Sequence, residues 1–488
     1  MFASRLRSRW RLAPLTAALA CVLTTPTADA TSWPVTSCGD AVGSATTLRG
    51  VIGNTMTLSH DNVDLSQLPN TCSTITLSQG EIPIPQFSLT VVGPASATVS
   101  IDGGANSRIF NHSGSGSLYV NYLTVENGRY AGIKGGGCIR SAANVTLSHS
   151  TITNCLVTIA GPTGFIYGGG AIYALGEVEL ISSALTNNTA SAISVGGRVG
   201  GGGIYASKVE LIGSTVSGNS AKAVVGTGSY AAGGAIHATQ FYAKYSTLSS
   251  NSSLVGNSVA NSDARGGAVW TRQSLVIRNS TISNNSAYIG GALAFAGVGS
   301  LTAMEFSDIQ NSTISDNDAK TAGGLFLEPG HDQIIDIENS TIAFNKATGV
   351  GPSGVGGISV FYKGELSLYS TIVSNNTEGS ANVPSDLYNS MSLPATLGGD
   401  SSLIGHANVS LTGITVSSAD PQLGPLQANG GPTFTRALMP GSPAIGLGNN
   451  GANAIHDQRG VGHPRSTGAL TTDIGAFEFD AIFSNKFE

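Results

Sequence analysis

Charge is scarce in these 488 residues: Asp, Glu, Lys and Arg make up 11 %, well under the usual ~25 %. The 23 basic and 29 acidic side chains leave a net charge of −6, with no basic stripe. That balance excludes nucleic acid as a partner. Helical periodicity is missing between Leu48 and Glu478, which argues against a helical bundle or helical solenoid. Beyond the first thirty residues no apolar run reaches the ~18 residues of a membrane helix, so no transmembrane segment is expected after removal of a leader. The 65 glycines follow no Gly-X-Y period; they serve turns rather than a collagen helix. Of the five cysteines Cys21 lies in the leader, leaving Cys38, Cys72, Cys138 and Cys155. An even number in an exported chain suits disulfides.

What is present is a repeat. Residues 266–290 read as a Gly-Gly pair, a short apolar run, a polar turn, a second apolar run ending in Ser-Thr-Ile, and an Asn-bearing turn. The second glycine recurs at Gly137, Gly170, Gly202, Gly234, Gly267, Gly291, Gly324 and Gly357, at spacings of 33, 32, 32, 33, 24, 33 and 33. Ser150, Ser183, Ser214, Ser246, Ser280, Ser312, Ser340 and Ser370 open the second run. Five residues after each comes Cys155, then Asn188, Asn219, Asn251, Asn285, Asn317, Asn345 and Asn375. Asparagine tolerates left-handed turns and can bond to its own copy in the next coil, so an Asn ladder is expected. The apolar runs alternate with period two, as in Val209-Glu210-Leu211. A single-stranded, right-handed parallel β-helix, an all-β solenoid, satisfies both signals.

Residues 1–30 carry Arg5, Arg7, Arg9 and Arg11, an apolar stretch at 12–23 and Ala28-Asp29-Ala30, the layout of a cleaved export signal. Residues 31–73 form an N-terminal cap whose one helix, near 46–52, covers the open edge of the first coil. Residues 74–377 form the solenoid, 378–478 the last coils and a C-terminal cap, and 479–488 a tail. Pro421, Pro425, Pro432, Pro440, Pro443 and Pro464 break regular strands, so this cap should wrap over the last coil. Asp457, Arg459 and Asp473 within it read as a structural ion pair.

The order of Thr47-Leu48-Arg49, Ile101-Asp102-Gly103-Gly104 and the Gly-Gly and Ser-Thr-Ile repeats resembles bacterial right-handed parallel β-helix repeat surface proteins. The Gly-Gly-Ala-Ile and Asn-turn pairing also looks like the repeats of polymorphic outer-membrane proteins. Further on, Asp420-Pro421-Gln422-Leu423-Gly424, Asn429-Gly430-Gly431-Pro432, Pro440-Gly441-Ser442-Pro443, Asp457-Gln458-Arg459-Gly460 and Asp473-Ile474-Gly475-Ala476-Phe477-Glu478 match, in order, the pattern of the choice-of-anchor Q domain. These resemblances imply a protein secreted from a bacterium or displayed on its surface, with a pectin-lyase-like fold and no established reaction. The tail resembles short sorting tags ending in Phe-Glu, although Lys486 stands where such tags carry glycine.

Extra length marks where function sits. The 24-residue coil is near minimal, so the others carry insertions, at 156–168, 189–200, 220–232 and 252–265 and, later, at 297–305. The first four are expected to be loops in register, making one wall. Beside it, three residues past each second glycine, stand Arg140, Tyr173, Tyr205, His237 and Trp270, flanking the aliphatic Ile139, Ile172, Ile204, Ile236 and Val269. Alternation sends the two sets to opposite faces. The aliphatic column, continued through Leu293 and Phe326, should be core. The aromatic column is either a binding surface for a polysaccharide or cell-surface glycan, or a stack that only braces neighbouring rungs. Ile152, Leu185, Val216, Leu248, Ile282, Ile314 and Ile342 should form a second buried column.

Cys155 takes the turn position of its coil and Cys138 opens the neighbouring strand, so Cys138–Cys155 is an expected bridge, with Cys38–Cys72 pinning the N-terminal cap. Candidate acids for a lyase or hydrolase are Asp316, Asp318 and Asp332, in the only acidic concentration near a loop. The Gly-Asp pattern of calcium β-rolls and the motif set of polygalacturonases are missing, so neither a metal nor another cofactor is expected. The reading is a non-catalytic, monomeric surface adhesin or glycan binder, with a polysaccharide lyase or glycoside hydrolase as the alternative.

Overall fold

One coil shows how the sequence makes the architecture. In the coil that begins at Ser274, the strand Ser274–Arg278 ends at Asn279, the strand Thr281–Ser283 ends at Asn284, and Ser286–Ile289 ends at Gly290. Those three corner residues have φ of 51°, 57° and 68°, the left-handed region that asparagine and glycine enter most readily. Each corner turns the chain, and the next coil pairs in parallel on top. The computed structural model describes residues 31–479 except 56–59, 97, 161–163, 225, 257–262, 298–306, 331–332, 352–353, 393, 410, 412–414, 417–418, 452 and 466–471. Residues 1–30, the expected export leader, the residues from 480 on and most of the 297–305 insertion lie outside the described residues.

The result is an all-β parallel solenoid. Among the described residues it has a main sheet of 22 short strands, a back sheet of 13 and a third sheet of 14. Both expected aliphatic columns are inside. Ile139, Ile172, Ile204, Ile236, Val269 and Leu293 lie in successive register and are fully buried, as are Ile152 through Ile342. One member differs: Leu293 pairs with Leu325, so Phe326 stands above Ala294 on the outer side of the sheet. The Gly323-Gly324 pair is displaced by one residue, Ala322 taking the left-handed corner with φ 57°. Counting from the second glycine therefore slips there, and a one-residue slip exchanges the faces.

The Asn ladder exists, with its two jobs divided. Asn187, Asn284 and Asn375 take the left-handed corner, with φ of 58°, 57° and 61°. The following asparagine is buried and bonds upward. Asn285 Oδ1 accepts from the main-chain N–H of Asn251 at 2.9 Å, and Asn285 Nδ2 donates to Asn317 Oδ1 at 2.9 Å. In the last rung the ladder residue is Asn376 rather than Asn375. A second ladder runs through the serines, Ser246 N–H to Ser280 Oγ and Ser280 N–H to Ser312 Oγ, at 3.1 and 3.2 Å. These side chains satisfy turn amides that the sheets cannot reach.

The Asn ladder closes on Asp386, whose Oδ1 accepts from Asn376 N and Nδ2 at 2.9 and 2.8 Å. Burial pushes this carboxyl up to about 6, against the hydrogen bonds from Asn376. A folded pKa above the unfolded ~3.9 means stability that is full below that value and lost as pH rises through the folded pKa. Asp386→Asn keeps the accepting oxygen and removes the charge. It should raise the melting temperature at neutral pH and leave it unchanged near pH ~3.5, as two thermal scans would show.

At the N-terminus the helix Leu48–Asn54 forms as expected, with Thr47 Oγ1 accepting from Gly50 N–H. Arg49 fixes it by pairing with Asp40 at 2.7 Å and donating to Gly80 and Glu81 carbonyls. Both expected disulfides are present, Cys38–Cys72 and Cys138–Cys155, with Cα atoms 5.9 and 5.5 Å apart.

The C-terminal segment differs from the expected end cap. It runs as a strap along the flank of the solenoid. Asn279 and Asn311 donate to Asp457 and His456 carbonyls at 3.2 and 3.1 Å, Arg465 donates to Asn311 Oδ1 at 3.2 Å, and Gly475 N–H donates to Ser370 O at 2.8 Å. Gln458, fully buried, accepts from Thr313 Oγ1 at 2.6 Å and donates to Ser280 O at 3.2 Å. Ile474 and Phe477 pack with Leu438 on Ile372 and Leu403. The corner residues point their polar groups sideways, where no neighbouring strand can pair with them, and an irregular proline-broken segment meets them there. Of the three residues expected in a structural salt bridge, Asp457 and Arg459 pair at 2.7 Å, while the Asp473 carboxylate accepts from the main-chain N–H groups of Gly446 and Phe479 at 2.8 and 2.6 Å; a further buried pair, Arg465–Glu478 at 2.5 Å, joins them.

Candidate functional site

The four insertions are strands rather than loops. Leu156–Ile159, Thr189–Ala192, Ser220–Ala223 and Ser252–Val255 stack as an outgoing layer. Tyr167–Gly168, Arg198–Gly200, Tyr230–Ala232 and Asp263–Arg265 stack as a returning one. Small side chains between them, Ala190, Ala221, Ala231 and Ala264 with Val157 and Val199, form a core of their own. Alanine at these positions lets the layers close together, which spacing alone did not reveal. The wall is therefore a two-layered β lobe attached along the main sheet.

The ring column stands in register on the main sheet beside this lobe: Arg140 pairs with Tyr173, Tyr173 with Tyr205, Tyr205 with His237, and His237 with Trp270. The rings lie face to face, with centroids 5.4, 4.8 and 4.3 Å apart and interplanar angles of 11°, 7° and 14°. Each inner ring thus spends both faces on its neighbours, so the column offers edges where the sequence suggested faces. Tyr173, Tyr205 and Trp270 are half-buried and His237 is 7 % exposed, lying against Gly200 of the lobe. Burial holds the His237 imidazole down to about 3 and raises the Tyr205 and Tyr173 phenols. Beyond Trp270 the column continues through Ala294 to Phe326, which packs with Phe361.

Further along the same outward face lies a polar strip that the sequence reading passed over. In the strand Ile204–Ile212, Tyr205, Lys208 and Glu210 are partly exposed while Ala206, Val209 and Leu211 are buried. Register places Lys208 between Glu177 and Gln240, and Glu210 between Glu179 and Tyr242. Lys208 Nζ reaches Glu177 at 2.6 Å and Glu210 at 3.2 Å. Burial, then the charges of Glu210 and Glu177, raise the Glu179 carboxyl. Lys208, Glu210, Gln240, Tyr242 and Ser274 line a shallow cavity of about 290 Å³. The signal was available: Glu177-Val178-Glu179-Leu180 and Lys208-Val209-Glu210-Leu211 stand at the same distance before the serine markers Ser183 and Ser214.

Of the three candidate acids, the two among the described residues, Asp316 and Asp318, are held by different neighbours. Arg436 of the strap grips Asp316 through both carboxylate oxygens at 2.8 Å. That aspartate is a corner residue, φ 60°, held by the strap. Asp318 sits past the lobe, in register between Ser286 and Lys346. Asp332 lies outside the described residues. Glu328 pairs with Arg265 at 3.0 Å. Among the described residues no group of three His, Cys, Asp or Glu side chains is arranged to hold a metal ion, and no helix is long and apolar enough to cross a membrane.

No family model matches the chain, and no curated protein is similar to it. Among solved structures, it is similar to one described as the crystal structure of pectate lyase Pel9A, over 93 % of this chain and 98 % of that one, with 12 % identity and a TM-score of 0.37.

Proposed function

We propose that this protein is an exported, monomeric β-helix that holds an extended polysaccharide or cell-surface glycan along the outer face of its main sheet, without a cofactor and without chemistry as its primary role. One observation carries the reading. Partly exposed polar and aromatic side chains occupy the same strand positions in consecutive coils, at rungs about 4.8 Å apart, next to a lobe that runs alongside. A linear polymer laid along the axis meets this row as a series of similar weak contacts. The polar strip of Glu177, Lys208, Glu210, Gln240 and Tyr242 supplies hydrogen bonds. The edges of Tyr173, Tyr205 and Trp270, stiffened by the buried His237 within their stack, supply apolar contacts, with Arg140 at the start. Two disulfides agree with an oxidising destination.

Replacing Tyr205 and Trp270 by Ala would disturb the stack as well as the surface, so the cleaner test lies in the strip. Lys208→Ala combined with Tyr242→Ala should leave melting near that of the parent and weaken attachment to the bound polysaccharide about tenfold, a loss of ~1.4 kcal/mol. Titration calorimetry on a glycan selected by array screening measures this; equal affinity would move the site off this face.

The enzymatic alternative now rests on different acids. Glu179 and Glu210 occupy neighbouring rungs, with one carboxyl raised, an arrangement suited to sharing a proton. Polysaccharide turnover by the parent that disappears in Glu210→Gln would replace the binding reading with a hydrolase or lyase.

A further inference from the structure

The lobe ends abruptly, and its end is open. Among the described residues, the coil at 252–265 is the last with two lobe layers. In the next coil the single strand Ser286–Ile289 pairs with the outgoing layer only at Ser286 and with the returning layer only at Ile289. It lies like a bar across the end of the lobe, and Ala287 and Tyr288 in its middle have no strand partner in either layer. Behind the bar is a cavity of about 260 Å³, lined by Ser253, Ala264, Tyr288, Asp318 and Lys320 among others.

Ser253 is the anomalous residue there. Its position is alanine in the two coils before, Ala190 and Ala221, and alanine again in Ala319 and Ala347 beyond. It is 0 % exposed, yet its Oγ has no hydrogen-bond partner. A buried hydroxyl without a partner is costly, and alanine would fill the same space. A donor-acceptor group is thus kept inside an alanine core at the end where that core meets the cavity. At the rim the Asp318 side chain is exposed, Tyr288 is 39 % exposed, and Lys320 Nζ lies 5.0 Å from the centre of the Tyr288 ring.

We infer that this open end of the lobe is a second binding site, for one neutral hydroxylated ring the size of a single hexose. An acceptor in Asp318, a donor in Lys320 and a hydroxyl in Ser253 surround a floor of alanine, which suits a carbon ring bearing hydroxyls. The opposite charges at the rim offset one another, so the ligand that matches them carries none. A cavity of about 260 Å³ has room for one such ring. The site is separate from the main-sheet face, and either can fail alone.

The test uses the mature chain and the methyl glycosides of neutral hexoses, followed by saturation-transfer NMR and calorimetry. At least one glycoside should bind. Ser253→Ala should lose binding tenfold or more while melting at the same or a higher temperature, because it removes only an unpartnered hydroxyl. Lys320→Ala, on the surface, should also weaken binding several-fold. Absence of binding by every glycoside, or unchanged affinity in both variants, overturns the inference, and so does preference for methyl galacturonoside over the neutral sugars. Attachment of long polysaccharide, measured beside it, reports on the main-sheet face alone: its loss with methyl glycoside binding intact removes that reading and leaves this site standing.

Discussion

Ile282→Asp should unfold the middle of the solenoid. Ile282 is fully buried, directly in register between Leu248 and Ile314, and it belongs to the continuous core that runs through the coils. A carboxylate placed there has no cation to pair with in the column, and its desolvation is severe. The expected loss is ~4 kcal/mol or more, in the range reserved for unpaired buried charge. Ile282→Val, which keeps the shape and removes one methyl group, should cost only ~1 kcal/mol. Thermal melting of the two variants beside the parent measures the contrast. An aspartate variant that melts like the parent would mean that the coils stack in another register.

Acid should loosen the ring column through His237. Its imidazole is held down to about 3 by burial, whereas the unfolded chain titrates near ~6.5. A histidine with a depressed folded pKa contributes stability that is complete above the unfolded value and is lost as pH falls towards the folded one. Between pH ~6.5 and ~3 the loss approaches ~4 kcal/mol. Buried His112 has a lowered pKa for the same reason and adds in the same direction, while Asp386 acts in the opposite sense as its carboxyl becomes protonated. His237→Phe keeps a ring between Tyr205 and Trp270 and removes the titration. Its melting temperature should fall less steeply than the parent's from pH ~7 to ~4. Parallel slopes would show that His237 reaches solvent and is not held neutral by the fold.

The two predictions depend on different kinds of information. The buried column containing Ile282 was legible in the sequence, because period-two alternation and a repeat near 32 residues need only local chemistry: glycine at a corner, asparagine to bond to its own copy, an aliphatic residue every second position. The same locality gave the single N-terminal helix and the proximity of Cys138 to Cys155. Reading by offset failed where one residue had been displaced, at Phe326 and at Asn375, since hydrogen-bond register between coils, and not distance from a glycine, decides which face a side chain takes.

The candidate site was only half legible. The sequence placed Tyr173, Tyr205, His237 and Trp270 in one line, but whether rings in line show faces or edges depends on their side-chain torsions, which packing against the lobe fixes. Nor could spacing reveal that the insertions pair with one another into two layers, that Arg436 crosses from the strap to grip Asp316, or that Ser253 is left without a partner where the lobe opens. Those are contacts between segments distant along the chain. Sequence by itself determined that the chain coils and, wherever the repeat kept its register, what lies inside each coil and which residues line up along it, because these follow from the preferences of neighbouring residues repeated many times. The tertiary structure decided which aligned residues remain accessible, because accessibility depends on how the lobe and the strap pack against the coils.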